Sequence, residues 1–132
     1  MIPNGNGKKT IVIPCSGIGK VQGLIAREAA YAAAAAGGGE LLCLALLVSG
    51  DEEAVSRIRD AECITIDGCP KLCAVKNVEA TGGTVAKSIQ VIDVLKNHRG
   101  AELGTATKLA DAGWAVAHEI AQDINHCESE VK

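Results

Sequence analysis

The chain has 132 residues, a length that predicts one domain with enough interior to fold without disulfides. Its 13 basic and 16 acidic residues give a net charge of -3, which supplies no basic field for a nucleic-acid backbone. With one Trp, one Tyr and no Phe, the chain has no base-stacking platform. We therefore expect a single domain over residues 1–132 and no nucleic-acid partner.

The two ends of the chain are polar. Residues 1–9 are rich in Gly and Asn and lack the apolar stretch of a secretory signal. The most apolar run, residues 41–48, is far shorter than the roughly 20 residues needed to cross a bilayer. We expect flexible ends at residues 1–9 and 126–132, no membrane partner and a cytoplasmic location. In that reducing compartment, six cysteines favour metal binding or thiol chemistry over structural disulfides.

The first half of the chain alternates between strand and helix patterns. A β-branched run predicts a buried parallel strand over residues 8–15, and small apolar residues at helical spacing predict a helix over residues 19–36. Three glycines then end that helix. The apolar residues 40–48 predict a second strand. Ser49 and Glu52 have the spacing of a capping box, which predicts a short helix as far as about residue 61.

The second half continues the alternation. Residues 63–67 predict a third strand, Pro70 fits the first turn of a helix that reaches about residue 80, and residues 88–94 predict a fourth strand. After Gly100 an amphipathic stripe predicts a long last helix, and its members are Leu103, Ala106, Ala110, Gly113, Trp114, Ala117, Ile120, Ala121 and Ile124.

This alternation predicts one small, doubly wound α/β domain of three layers around a four-stranded parallel sheet. The strand order 2-1-3-4 is that of similar small doubly wound folds, in which a crevice opens between the first and third strands.

Three cysteines follow predicted strands. Cys15 ends the first strand, and Cys69 and Cys73 follow the third, so all three belong at one edge of the sheet. Clustered thiolates suit zinc, although they also bind iron, copper and cadmium. With Cys69 at the N-cap of the next helix, Cys73 would project from its first turn on the same side. The positive end of that helix favours the thiolate form, which a metal ligand or a nucleophile needs.

Two short segments carry a family resemblance. Residues 67–74 read Asp-Gly-Cys-Pro-Lys-Leu-Cys-Ala, and residues 15–17 read Cys-Ser-Gly. Together they resemble the DGC-domain family, which is named for its Asp-Gly-Cys triplet. The resemblance covers about residues 10–95 and includes Cys-Leu-Ala at residues 43–45. It implies a small intracellular α/β domain that binds Zn(II) through four cysteines, here Cys15, Cys43, Cys69 and Cys73.

The resemblance also changes the expected second strand. A strand running to residue 48 would leave Cys43 near its start, about five residues from the functional edge. The resemblance requires the strand to end near Cys43, with residues 44–49 forming a loop or an early helical turn, and we adopt that boundary. If Cys43 does not reach the site, an open fourth position is left for water, Asp93 or His98, as in catalytic zinc sites.

Two functions are compatible with these residues. One is a zinc-binding α/β domain whose protein partner or small-molecule substrate the sequence does not name. The other is a thiol-based redox or sulfur-transfer enzyme, with Cys15 or Cys69 as nucleophile and Cys73 as the resolving thiol.

Other residues have simpler interpretations. Asp67 is expected to cap the helix that follows it, with a second role in orienting a ligand left open. We expect Cys63 in the core, His118 on the exposed side of the last helix and Cys127 in an uninvolved tail. Residues 17–20 lack the full phosphate-loop pattern, so phosphate chemistry is disfavoured.

Overall fold

The computed structural model describes residues 9–15, 20–68 and 71–130. Its elements in chain order are β1 (Lys9–Cys15), α1 (Val21–Ala35), β2 (Glu40–Leu41), α2 (Leu44–Val48), α3 (Glu52–Arg59), β3 (Ala61–Asp67), α4 (Cys73–Ala80), β4 (Thr84–Gln90), α5 (Val91–Leu95) and α6 (Asp111–Glu130). A single 3-10 turn, Lys96–His98, follows α5. No described helix combines the length and apolar character needed to span a bilayer.

The four strands form one parallel sheet in the order β2-β1-β3-β4, which confirms the predicted fold class and strand order. The central pair, β1 and β3, stays in register from Lys9 opposite Ala61 to Cys15 opposite Asp67. Because all strands run the same way, their last residues lie at one side of the sheet. We call this side the carboxyl edge and define it by Cys15, Leu41, Asp67 and Gln90.

Helices cover both sides of the sheet. Alternate strand residues point to opposite sides. Val12, Ile64 and Ile66 pack with α1, α5 and α6 on what we call the α1/α6 face. Ile11, Ile13 and Cys63 pack with α2, α3 and α4 on what we call the α4 face. The result is the three-layer arrangement that the sequence predicts.

The second strand ends at Leu41, so the strand predicted over residues 40–48 is wrong and the earlier boundary taken from the family resemblance is confirmed. The apolar run that follows forms α2, which buries Leu47 and leaves Leu46 and Val48 exposed. The predicted capping box is also wrong. The carboxylate of Asp51 caps α3 by accepting a hydrogen bond from the Ala54 amide at 2.9 Å, while the Ser49 hydroxyl donates to the Leu46 carbonyl.

The fourth strand lies earlier than predicted, at Thr84–Gln90 instead of residues 88–94. The apolar residues after it form α5, because Val91, Val94 and Leu95 at helical spacing all pack into the core of the α1/α6 face.

The last helix begins at Asp111, so the first members of the predicted stripe precede it. Gly104 forms an antiparallel bridge with Leu109 there, and Trp114 is exposed instead of facing the sheet. Residues 1–8 and 131–132, parts of the ends expected to be flexible, lie outside the described residues, whereas α6 carries the backbone on to Glu130.

Candidate functional site

The carboxyl edge gathers the ends of three adjacent strands, and a cysteine follows each. Cys15 is the last residue of β1, Cys43 is the N-cap of α2 two residues after β2, and Cys73 is the first residue of α4. Cys15 also lies in register with Asp67, the last residue of β3. The fold therefore brings three of the four predicted thiols, those of Cys15, Cys43 and Cys73, to the same side of the molecule from separate parts of the chain.

These thiols differ in exposure and do not by themselves form a complete ligand group. Cys15 and Cys73 are half-buried, whereas Cys43 is exposed. Within residues 9–15, 20–68 and 71–125, no three His, Cys, Asp or Glu side chains lie close enough together to hold a metal ion. Cys69 lies outside the described residues. The four-cysteine set therefore stays a prediction.

Asp67 is the buried polar centre of this edge. Its side chain is fully buried, and its Oδ1 accepts a hydrogen bond from the Ala74 amide at 2.8 Å. Burial raises the pKa of this carboxyl, while hydrogen bonds from the amides of Ala74 and Val75 act in the opposite direction. The predicted capping role is confirmed. The bond fixes the start of α4 to the end of β3.

Two buried oxygens on β3 have no hydrogen-bond partner among the described residues. They are Oδ2 of Asp67 and Oγ1 of Thr65, two positions apart on the α4 face. Buried polar atoms in native proteins are almost always paired with protein, water or an ion. This part of the edge can therefore accept a further hydrogen bond beside Cys15.

Leu72 gives α4 an unusual start. It is the N-cap, with φ 56° and ψ 45°, and it is the one non-glycine residue of the described chain with a positive φ. This left-handed conformation costs a branched side chain roughly 1–2 kcal/mol. Because a right-handed helix cannot continue back through such a residue, the prediction that α4 begins at Pro70 with Cys69 as N-cap is wrong. Cys73 opens the helix instead.

Gly68, the middle residue of the triplet, allows a close backbone approach. A Cβ placed on it would lie 3.0 Å from the carbonyl atoms of Gln22 and from the amide nitrogen of Gly23. Any side chain would push the end of β3 away from the first turn of α1. The glycine thus lets the end of β3 lie close to the first turn of α1.

The remaining candidates have other partners. The Nε2 of His98 lies 2.8 Å from Oε1 of Glu119, and Asp93 pairs with Lys96 at 3.2 Å. His98 and Asp93 were the alternatives to Cys43 as a fourth zinc ligand, and neither of these contacts is with a cysteine.

The residues expected to be uninvolved behave as predicted where they are described. Cys63 is fully buried, its Sγ donates to the Ile58 carbonyl at 3.8 Å, and burial raises its pKa to about 11, so it is an unreactive core thiol. His118 is exposed and packs beside Trp114, with 6.0 Å between ring centroids. The side chain of Cys127 lies outside the described part.

Comparison with known families decides the type of domain. The family model of the DGC domain matches residues 11–121. The chain belongs to the DGC domain family. This match runs from β1 into α6 and so includes every strand of the sheet. No curated protein and no solved structure matches the chain. Membership identifies the domain without naming a substrate or a reaction.

Proposed function

We propose that this DGC domain is a cytoplasmic zinc-binding module, with Cys15, Cys43, Cys69 and Cys73 holding one Zn(II) at the carboxyl edge. The observation that supports it is the position of three cysteines, Cys15, Cys43 and Cys73, at or after the ends of three neighbouring strands. Cysteines that only fill the core need not gather at one edge of the sheet, whereas cysteines that share a metal ion must lie in one place.

The chemistry of the donors suits zinc. Thiolates are soft ligands that bind Zn(II) at about 2.3 Å, commonly as a tetrahedral set of four. Four thiolates around one Zn(II) carry a net charge of about -2, so nearby cations lower the cost of burying the centre. Two exposed lysines could supply this charge: Lys20 directly precedes α1, and Lys71 directly precedes the strained Leu72 at the start of α4.

Metal binding on this proposal is coupled to local folding. Since no three described side chains form a ready group, the ion has to draw the thiols together. Two features make movement possible: Cys43 is exposed at the start of a helix of five residues, and Cys73 follows the strained Leu72. Zinc should therefore raise the melting temperature, and a chelator should lower it.

The test is elemental analysis of anaerobically purified protein with single Cys→Ser variants. We expect about one zinc per chain, and a loss of most of it in Cys15→Ser, Cys43→Ser, Cys69→Ser or Cys73→Ser. Two controls should keep it: Cys127→Ser, outside the proposed set, and Cys63→Ala, in the core of the α4 face. Sub-stoichiometric metal in the parent protein together with no effect of chelator would overturn the proposal.

The thiol-enzyme alternative has less support. A nucleophile near α4 would depend on free amides at the helix start to stabilise its thiolate. The Ala74 and Val75 amides already bond to the Asp67 carboxylate, which also places a buried acidic group beside Cys15. Mass spectrometry of unreduced protein separates the two functions. Bound zinc with unmodified thiols supports the metal module, whereas a disulfide or persulfide on Cys15, Cys69 or Cys73 supports the enzyme.

A further inference from the structure

A cavity of about 330 Å³ lies beside Cys43, between α1 and the β2–α2 connection. Its walls are mostly apolar and include Pro14, Ala30, Leu41 and Leu44. Ligand cavities in proteins range from about 300 to 1,000 Å³, so this one suits a small molecule. The cavity borders Cys43, which is an exposed thiol at the carboxyl edge.

One cation and one aromatic ring face this cavity. Arg27 and Tyr31 both line it, and the guanidinium carbon of Arg27 lies 5.8 Å from the centroid of the Tyr31 ring. The ring is the only tyrosine in a chain without phenylalanine, yet 52% of the residue is exposed. An aromatic residue that the core does not use is free to pack against a ligand.

The described lining of the cavity has one cationic side chain, Arg27. None of the described lining residues is acidic. The guanidinium has one long contact, 3.7 Å from its Nε to a carboxylate oxygen of the adjacent Glu28, which leaves its other donors available to a bound anion. A guanidinium pairs with a carboxylate through two parallel hydrogen bonds.

We propose that this cavity binds a small organic carboxylate with a flat apolar body. The carboxylate pairs with Arg27, and the body lies between the Tyr31 ring and the apolar wall formed by Leu41 and Leu44. The apolar wall favours an organic acid over an inorganic anion, because it gives phosphate or sulfate no compensating polar contact. Cys43 lines the same space, so the bound molecule covers its thiol. This binding site goes beyond the zinc proposal and does not require the metal.

A titration with a matched pair of probes tests the site. The probes are 3-phenylpropanoate and its uncharged analogue 3-phenylpropanamide, added to the isotope-labelled full chain and followed by amide NMR shifts. We expect saturable shifts confined to residues 27–31 and 41–45. The carboxylate should bind about fivefold more tightly than the amide, the size expected of a partly exposed ion pair. No saturable shift, or shifts centred elsewhere, would overturn the proposal.

Two variants test whether Arg27 binds the carboxylate of the probe. Arg27→Gln should remove the preference for the carboxylate over the amide, whereas Arg99→Gln, an exposed arginine after the 3-10 turn, should leave it unchanged. An unchanged preference in Arg27→Gln would contradict the assignment. In chelator-treated protein, where no zinc protects the thiol, saturating 3-phenylpropanoate should also slow alkylation of Cys43, measured by peptide mass mapping. An unaltered rate would contradict binding of the probe over Cys43.

The same titration with zinc-loaded and chelator-treated protein separates this site from the metal centre. Probe binding that survives in a protein without zinc supports the cavity even if the zinc proposal fails. Stoichiometric zinc with no saturable probe binding overturns the cavity alone.

Discussion

The two faces of the sheet differ in composition and in the length of the helices that cover them. The α1/α6 face packs mainly against the long helices α1 and α6, of 15 and 20 residues, with the short α5 beside them, and it buries Thr10 among apolar residues. The α4 face is covered by helices of 5, 8 and 8 residues and buries Cys63, Thr65 and Asp67. The first face supplies the greater part of the hydrophobic stabilisation, while the second carries the candidate site.

Buried oxygens without a described partner occur on both faces. Two of them, on Thr65 and Asp67 of β3, belong to the α4 face at or near the carboxyl edge, and a third, Oδ1 of Asn125, belongs to α6. Buried polar groups of this kind lower stability unless something satisfies them. A ligand bound at the carboxyl edge would therefore stabilise the α4 face more than the α1/α6 face.

The largest expected effect comes from removing a core side chain on the α1/α6 face. Ile120→Ala should lower the free energy of unfolding by about 3 kcal/mol, because Ile120 is almost fully buried and its removal leaves a cavity. The measurement is urea denaturation. Trp114→Ala on the same helix is the control, since this residue is 41% exposed and its loss should cost far less. Equal losses in both variants would contradict the claim that packing of α6 onto the sheet stabilises this face.

On the α4 face, the buried carboxyl should show a smaller effect. Asp67→Ala should cost about 1–3 kcal/mol, because it removes the acceptor of the Ala74 amide at the start of α4. Asp67→Asn keeps an oxygen acceptor and should cost less. If Asp67→Asn lowers the free energy of unfolding as much as Asp67→Ala does, the carboxylate does not stabilise the protein by capping α4.

The same pair gives a pH dependence with a defined sign. Burial raises the pKa of Asp67 in the folded protein, so its favourable contribution is complete below the unfolded-state pKa and is lost as pH rises through the folded value. The parent protein without metal should therefore lose stability relative to Asp67→Asn between acidic and neutral pH. Urea denaturation across that range measures it, and an opposite trend would contradict the burial argument.

Backbone strain at the start of α4 should have an effect of about 1 kcal/mol. Leu72→Gly and Leu72→Ala both remove the side chain, but only glycine relieves the left-handed conformation at φ 56°. The glycine variant should be the more stable of the two by about 1 kcal/mol in thermal or urea unfolding. Equal stability would mean that the strain is absent in solution.

The smallest effect should come from an exposed ion pair. Arg57 hydrogen-bonds to Glu40 at 2.8 Å and joins α3 to β2, and this bond together with the charge of Lys9 lowers the pKa of Glu40. Its contribution is present above the unfolded-state pKa and is lost as pH falls through the lowered value.

Glu40→Gln should cost only a few tenths of a kcal/mol at neutral pH, and nothing below the lowered pKa. Glu102→Gln in an exposed loop is the control. A loss in Glu40→Gln that persists in acid would show that charge is not responsible.

The sequence predicted elements that have a clear pattern better than short apolar runs. Helix α1 and strand β1 follow from small residues at helical spacing, a glycine stop and a β-branched run. The apolar runs at Leu44–Val48 and Val91–Leu95 suit either a strand or a helix, and tertiary packing decides between them.

The site was predictable in its position along the chain but not in its detail. Cysteines at strand ends indicated the carboxyl edge, and the family resemblance placed the end of β2 near Cys43. The capping role of Asp67 was predicted, but the start of α4 at Cys73 depends on a left-handed Leu72, which no local pattern encodes. The Arg27 cavity depends on packing between α1 and the β2–α2 connection, so sequence patterns gave no sign of it.

The most direct test of the central claim is X-ray absorption at the zinc edge of anaerobically purified protein. A thiolate centre at the carboxyl edge predicts a first shell of four sulfur atoms at about 2.3 Å. Cys15→Ser should reduce the sulfur count or abolish the bound zinc. A first shell dominated by oxygen and nitrogen, or a spectrum that Cys15→Ser leaves unchanged, would contradict the claim.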